Sequence, residues 1–248
     1  MKILILSLIL AAASALQADP QPTTNIDPQR ITLSGISAGG QMAHQLHIAF
    51  PELFSGIGVI AGGPFGCANG SLATAMARCV GKVDDSLSVA DLAAEIRAAA
   101  ADGRVGSVEV LADDPVWLFH GALDTTVAVG VSDALEALYR EFVPAGQITY
   151  VKDVQAAHNF PASGTGHACD AVQAPFVGDC DFDAAGELLN HLYSDLVTPD
   201  AESETALTAV VLPGAAEAGL SETAYLFVPP ACSGGAKSCA AHLVMHGC

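Results

Sequence analysis

A serine, an aspartate and a histidine can cleave an ester together when the serine sits on a sharp turn, and Gly35-Ile36-Ser37-Ala38-Gly39 has the composition of such a turn. A hydroxyl is a weak nucleophile until a base takes its proton, and the base works best when a carboxylate orients it. Residues 30–34 read as a strand leading into the turn, and residues 41–50 read as a helix ended by Pro51. Glycines on either side of the serine let the strand and helix backbones approach closely, so that the hydroxyl stands clear of both.

Two further residues complete the set. Residues 115–120 form a nearly all-apolar run, as expected of a strand buried on both faces, and Asp124 lies just beyond it. Residues 147–154 read as the next strand, with His158 just beyond. Ser37, Asp124 and His158 therefore follow in order, each on a loop after a strand. Asp113 and Asp114 are rival acids, but they precede their strand and belong at its other end; Asp153 falls within a strand. Among the histidines, His44 and His47 lie three residues apart on the helix after the turn, facing solvent or the helix packing. His120 comes before the acid in sequence. His167, between two glycine-rich turns, is the main rival to His158.

Acyl transfer also needs two backbone N–H groups aimed at the developing oxyanion. Ala38, which follows the serine, is placed to supply one. The second commonly comes from an H-G-x turn after an apolar strand, and the chain offers His120-Gly121 and His246-Gly247-Cys248.

These residues need a scaffold. Residues 56–61 read as a buried strand, Ser88 as the N-cap of a helix with Asp91 at its third position, and Ser132 as the cap of another helix stopped by Pro144. Residues 182–197 read as a last helix with Leu188, Leu189, Leu192 and Tyr193 inward, and residues 225–228 and 242–245 as two more strands. Strands alternating with helices imply a mostly parallel sheet covered on both faces, and the strand, G-x-S-x-G turn and helix imply an α/β-hydrolase.

The 248 residues are 51% hydrophobic and 15% charged, enough for one domain with a large core, so residues 19–248 are read as a single catalytic domain. Residues 1–18 read as a signal peptide: Lys2, an apolar run, then Ala13-Ser14-Ala15 as a cleavage site, with Leu16-Gln17-Ala18 as a second possible one. The apolar run is too short to span a bilayer, so the mature chain is expected outside the cell or in a periplasm. A formal net charge of −18 argues against nucleic acid and anionic membranes as partners and favours a neutral substrate. Seven cysteines in an exported chain suggest disulfides, and proximity pairs Cys67 with Cys79, Cys169 with Cys180 and Cys232 with Cys239, leaving Cys248. Their spacing is not that of a zinc site, so no metal is expected.

Longer motifs sharpen the reading. Ile26-Asp27-Pro28-Gln29-Arg30-Ile31, running into Gly35-Ile36-Ser37-Ala38-Gly39-Gly40-Gln41-Met42-Ala43, resembles the extracellular poly(3-hydroxybutyrate) depolymerases and their esterase relatives. Leu118-Phe119-His120-Gly121-Ala122-Leu123-Asp124 is similar to that family's acid loop, and Ala157-His158-Asn159-Phe160-Pro161 to its histidine loop. Residues 225–230 and 242–248 resemble the strand pair and H-G-C turn found near the start of ordinary members. Here they come last, an order similar to the circularly permuted, fungal-type enzymes.

The resemblance implies Ser37 as nucleophile, Asp124 as acid, His158 as base, and the N–H groups of Ala38 and Cys248 as oxyanion hole. It implies no cofactor and no metal; the chain is expected to be a monomer acting on a neutral polyester or small ester. Permuted members continue past H-G-C with a helix, a strand and a helix, so it also implies a fold incomplete at the C-terminus. A tail over residues 206–248 is then expected to be loosely held, with the strand at 225–228 lacking a neighbour. A feruloyl or acetylxylan esterase on the same scaffold, or an inactive esterase or binding protein, are the alternatives.

Overall fold

The computed structural model describes residues 24–81, 87–196 and 206–248, so the expected signal peptide and the acidic stretch 199–205 lie outside it. In chain order the elements are β1 (Asn25–Ile36), α1 (Ala38–Ala49), β2 (Ile57–Ile60), α2 (Leu72–Ala75), α3 (Val89–Ala101), β3 (Val116–Phe119), α4 (Val129–Tyr139) and β4 (Ile148–Val151). Then follow β5 (Phe160–Ala162), β6 (His167–Ala168), β7 (Val177–Asp179), α5 (Ala184–Leu192), β8 (Thr208–Val211), β9 (Thr223–Leu226) and β10 (Ser238–Met245). The described residues fall into two compact units, one of 26–81, 87–196 and 239–248, the other of 24–25 and 206–238.

The larger unit is built on a sheet of order β10-β1-β2-β3-β4, in which β1 to β4 are mutually parallel neighbours. Each step from β1 to β4 moves one strand in the same direction, and right-handed crossovers then bring the intervening helices to the same face. The core divides accordingly. Leu33, Ile57, Val59, Val116 and Leu118 belong to one cluster, with side chains of α1, α3 and α4. Ile60, Trp117 and Phe119 belong to the other, with Leu188 and Leu192 of α5. Successive strand residues alternate between the two clusters, the period of two that a strand buried on both sides requires. A three-stranded sheet of order β5-β7-β6 follows β4. The smaller unit holds the antiparallel pair β8 and β9, with Thr208 opposite Leu226 and Val211 opposite Thr223.

Several local expectations need correction. Ser132 does not cap α4: the helix begins at Val129, and the buried Ser132 hydroxyl donates to Gly62 O at 3.0 Å. The strand before His158 ends at Val151, so Asp153 lies beyond it rather than within it. The last helix is shorter than expected, because Asp183 caps it by accepting from Gly186 N at 2.9 Å and the chain leaves it at Tyr193. The strand expected at 225–228 lies at Thr223–Leu226 and does have a neighbour, β8, which its mixed composition hid. Nor is 206–248 one loose tail, since Cys239–Cys248 belongs to the same compact unit as the main core. Ser88 does cap α3, accepting from Asp91 N at 3.2 Å. Among the described residues no helix is long and apolar enough to cross a membrane.

Candidate active site

Because β1, β3 and β4 run parallel, the loops that follow them open at the same edge of the sheet, and these loops carry Ser37, Asp124 and His158. Ser37 adopts φ 58° and ψ −124°, a region that residues with a Cβ rarely enter. The conformation is held by its N–H, which donates to Ile60 O at 2.9 Å, and by its carbonyl, which accepts from Gln41 N at 2.9 Å. The flanking glycines are needed for close approach. A methyl on Gly35 would overlap the backbone of Gly39, and one on Gly39 would overlap the carbonyl oxygens of Met245 and His246.

His158 Nδ1–H donates to Asp124 Oδ2 at 2.7 Å. The other carboxylate oxygen, Asp124 Oδ1, accepts from Thr126 N at 2.8 Å and Val127 N at 3.0 Å, which fixes the carboxylate before the imidazole meets it. Burial is the largest influence on this carboxyl and pushes its pKa up. The hydrogen bonds from His158, Val127 and Thr126, with the imidazole charge, outweigh burial, and the net direction is down. An ionised Asp124 holds the proton on Nδ1 and leaves Nε2 of the neutral ring as a proton acceptor.

Ser37 and His158 line one cavity of about 500 Å³. No hydrogen bond joins Ser37 Oγ to His158 among the described residues, and such bonds often tighten only with substrate in place. The cavity wall is largely apolar, formed by Ile36, Ile60, Phe160, Phe176, Val177 and Met245. Phe160, Phe176 and Val177 come from the segment that bears the short β5-β7-β6 sheet, and reading the sequence did not identify them as site residues. Their signal, scattered aromatic and β-branched residues near the histidine loop, is weak without the fold.

The same cavity is lined by His246, Gly247 and Cys248. A methyl on Gly247 would lie 3.1 Å from Ser37 Cβ, so this turn sits directly against the serine. His246 Nδ1–H donates to Gly247 O at 2.6 Å, which stiffens the turn. Ala38 opens α1, so its N–H is one of the helix-terminal donors without an intrahelical partner. Cys248 is exposed and unbridged.

The rivals are placed elsewhere. His167 lies on β6, and its Nε2–H donates to Ala174 O at 2.9 Å. His120 is buried, and its Nδ1–H donates to Ser132 Oγ at 2.9 Å, because the serine proton is already committed to Gly62 O. Burial is the main cause of the lowered His120 pKa, with the Asp124 and Asp133 charges opposing it. His44 and His47 are fully buried in the helix packing rather than facing solvent. His44 has its pKa lowered to about 3, first by burial and then by the charge of His47. Asp114 does meet a histidine, His47, but before β3 rather than after it. Cys67 is bridged to Cys79 and Cys169 to Cys180. Cys232 and Cys239 are disulfide cysteines as well.

A parallel sheet with helices on both faces and a serine on a strained turn after a strand defines the α/β-hydrolase class. The comparisons narrow the class. Residues 11–149 match the family described as Esterase PHB depolymerase. The chain is 38% identical over 240 residues to a poly(3-hydroxybutyrate) depolymerase of Delftia acidovorans, covering 92% of this chain and 47% of that one. It is 31% identical over 250 residues to a polyhydroxybutyrate depolymerase of Talaromyces funiculosus, covering 97% of this chain and 71% of the relative. The crystal structure of PHB depolymerase from Penicillium funiculosum superposes with a TM-score of 0.81 at 29% identity, covering 92% of this chain and 71% of that one. A serine-to-alanine form of PHB depolymerase, complexed with an R3HB trimer, superposes with a TM-score of 0.80. The chain belongs to the esterase PHB depolymerase family, and it spans about half the length of the Delftia relative.

Proposed function

We propose that the protein is a secreted serine esterase that hydrolyses polyhydroxyalkanoate esters of the poly-3-hydroxybutyrate type through an acyl-enzyme. The observation that carries this is the His158–Asp124 pair at 2.7 Å, with His158 and the strained Ser37 lining one largely apolar cavity. His158 Nε2 takes the proton of Ser37 as Oγ attacks the ester carbonyl carbon. The N–H groups of Ala38 and Cys248 hold the resulting oxyanion. Collapse expels the alcohol, which receives the proton from His158, and leaves Ser37 acylated. A water molecule then gives a proton to His158 and attacks the acyl carbon, releasing the acid and restoring the serine.

This reading takes 1–18 as a signal peptide and 19–248 as one monomeric catalytic domain, with neither cofactor nor metal. It also takes the fold as circularly permuted, supported by the position of β10: last in sequence, yet beside β1 in the sheet. The family and the R3HB trimer bound by a structural relative favour a polyester over a plant cell-wall ester. The test supplies a short p-nitrophenyl ester, a poly-3-hydroxybutyrate suspension and feruloylated arabinoxylan in parallel. Hydrolysis of the first two, with soluble hydroxybutyrate released, is the expected result. Release of ferulate without clearing of the polyester, or no turnover of any substrate, contradicts the reading.

A further inference from the structure

The α5-side face of β1 is polar where the same face of β2 and β3 is apolar. Thr32 and Ser34 are buried there, one strand period apart. Both meet a single side chain, His242, in the middle of β10, with Nδ1 2.7 Å from Thr32 Oγ1 and Nε2 2.8 Å from Ser34 Oγ. Thr32 Oγ1 also lies 2.6 Å from Tyr193 OH, which donates to Ala241 O at 2.9 Å.

Counting protons assigns every donor. Tyr193 gives its proton to Ala241 O, so Thr32 donates to Tyr193. Thr32 therefore accepts from His242 Nδ1–H, and Nε2 of the neutral ring accepts from Ser34 O–H. The chain begins on β1, crosses to β10, returns to β1 and closes through Tyr193 on the β10 backbone. Burial lowers the His242 pKa to about 4, consistent with the neutral ring that this pattern requires.

Among the described residues β10 lies at the edge of its sheet, with β1 as its strand neighbour. Backbone pairing by itself holds an edge strand in register weakly, and a slip of two residues would keep the same side chains inward. Such a slip moves the strand by about 6.6 Å, two strand rises. A ring that must reach Thr32 and Ser34 at once tolerates no such slip. Four residues further on, the strand ends in His246-Gly247-Cys248, which sits against Ser37.

We propose that His242 is a positioning residue: it locks the register of β10 on β1 and thereby sets where the His246-Gly247-Cys248 turn stands over Ser37. This rests on the esterase reading, in which the Cys248 N–H serves the oxyanion. The loss of one oxyanion donor costs about 10²–10³-fold in kcat, so a misplaced one should cost a substantial part of that.

The test compares the wild type with His242→Phe, which keeps a ring without its nitrogens, and with Thr32→Val, which removes one anchor. Turnover of a short p-nitrophenyl ester is referred to serines titrated by a phosphonate, and amide exchange is followed in the same proteins. The expected result for His242→Phe is a kcat per titrated serine about tenfold or more below wild type with KM little changed. Amides of residues 243–247 should exchange faster, while those of β2 and β3 keep their protection. Thr32→Val should show the same pattern more weakly, and the double variant should lose less than the sum of the two.

Wild-type kcat and wild-type exchange in either foldable variant would overturn the proposal. So would a loss of activity that merely tracks the loss of folded protein. If the wild type turns over no ester, the esterase reading fails, while exchange at residues 243–247 still decides whether His242 sets the strand.

Discussion

Among the described residues there are two aspartate–histidine pairs, and they differ in which partner meets water. In the His158–Asp124 pair the imidazole is 11% exposed and the carboxylate 1%; in the His47–Asp114 pair the imidazole is 0% exposed and the carboxylate 11%. His158 keeps Nε2 without a hydrogen bond among the described residues and lines a cavity with Ser37. His47 has both nitrogens engaged: Nε2–H donates to Asp114 at 3.1 Å, and Nδ1 accepts from Tyr139 OH at 3.0 Å. Tyr139 is itself fully buried, and its pKa is raised well above the ordinary value, first by burial and then by the Asp114 charge, so its proton stays in place. The pairing of residue types does not make a base. A base needs a nitrogen left over, and a route for substrate to reach it.

The largest expected effect is at Ser37, the proposed nucleophile. Ser37→Ala should lower ester turnover by at least about 10³-fold, because in the proposed mechanism the hydroxyl serves chemistry rather than packing. Steady-state kinetics on protein of native circular dichroism checks this, and retention of a tenth of the activity would end the elbow assignment. Next come the partners: His158→Gln or Asp124→Asn should each cost about 10³–10⁴-fold in kcat. The same substitution type in the second pair should act on stability instead. Asp114→Ala leaves the His47 Nε2–H buried without an acceptor, so it should cost about 1–3 kcal/mol of unfolding free energy. Turnover per folded molecule should stay at the wild-type level, and a denaturant titration beside an activity assay separates the two quantities.

How much of this contrast could be read beforehand depends on the range of the interaction. The elbow, the strand before Asp124 and the loop after β4 are local patterns: apolar runs of period two, glycines about a serine, and an aspartate or histidine a few residues past a strand. The placement of Asp114 at the other end of its strand followed from the same local reading. The burial of His44 and His47 did not, because α1 carries polar residues on a face covered by Tyr139 of α4, more than ninety residues away in sequence. Ser132 looked like a helix cap because its hydroxyl could serve either role, and contact with His120 decided it. The His242 bridge joins residues 210 and 208 apart in sequence, and no local pattern carries that information. The β8–β9 pair escaped notice because β8 is short and exposed, without the alternation that marks a strand.

A smaller effect should appear in the dependence of stability on pH. His44 and His242 have folded pKa values lowered to about 3 and about 4 from 6.5, so between those limits the unfolded chain binds protons that the folded chain refuses. Stability should therefore fall as pH drops from about 6.5 toward 3, with the lowered Asp124 value adding a further loss as its carboxylate protonates. Thermal melts over this range check it, and a melting temperature that rises on acidification would contradict the buried neutral assignments. Reduction should act at a comparable scale, since each of the Cys67–Cys79 and Cys169–Cys180 bridges is expected to contribute about 2–4 kcal/mol.

The central claim is that one aspartate–histidine pair activates one serine, and covalent labelling tests it most directly. Wild type, His158→Gln and Asp114→Ala proteins are treated with a serine-reactive phosphonate, and the adduct is located by peptide mass mapping. The account predicts one adduct per molecule on the peptide containing Ser37, formed at wild-type rate in Asp114→Ala and far more slowly in His158→Gln. An adduct on another serine, or undiminished labelling of Ser37 in His158→Gln, would contradict it.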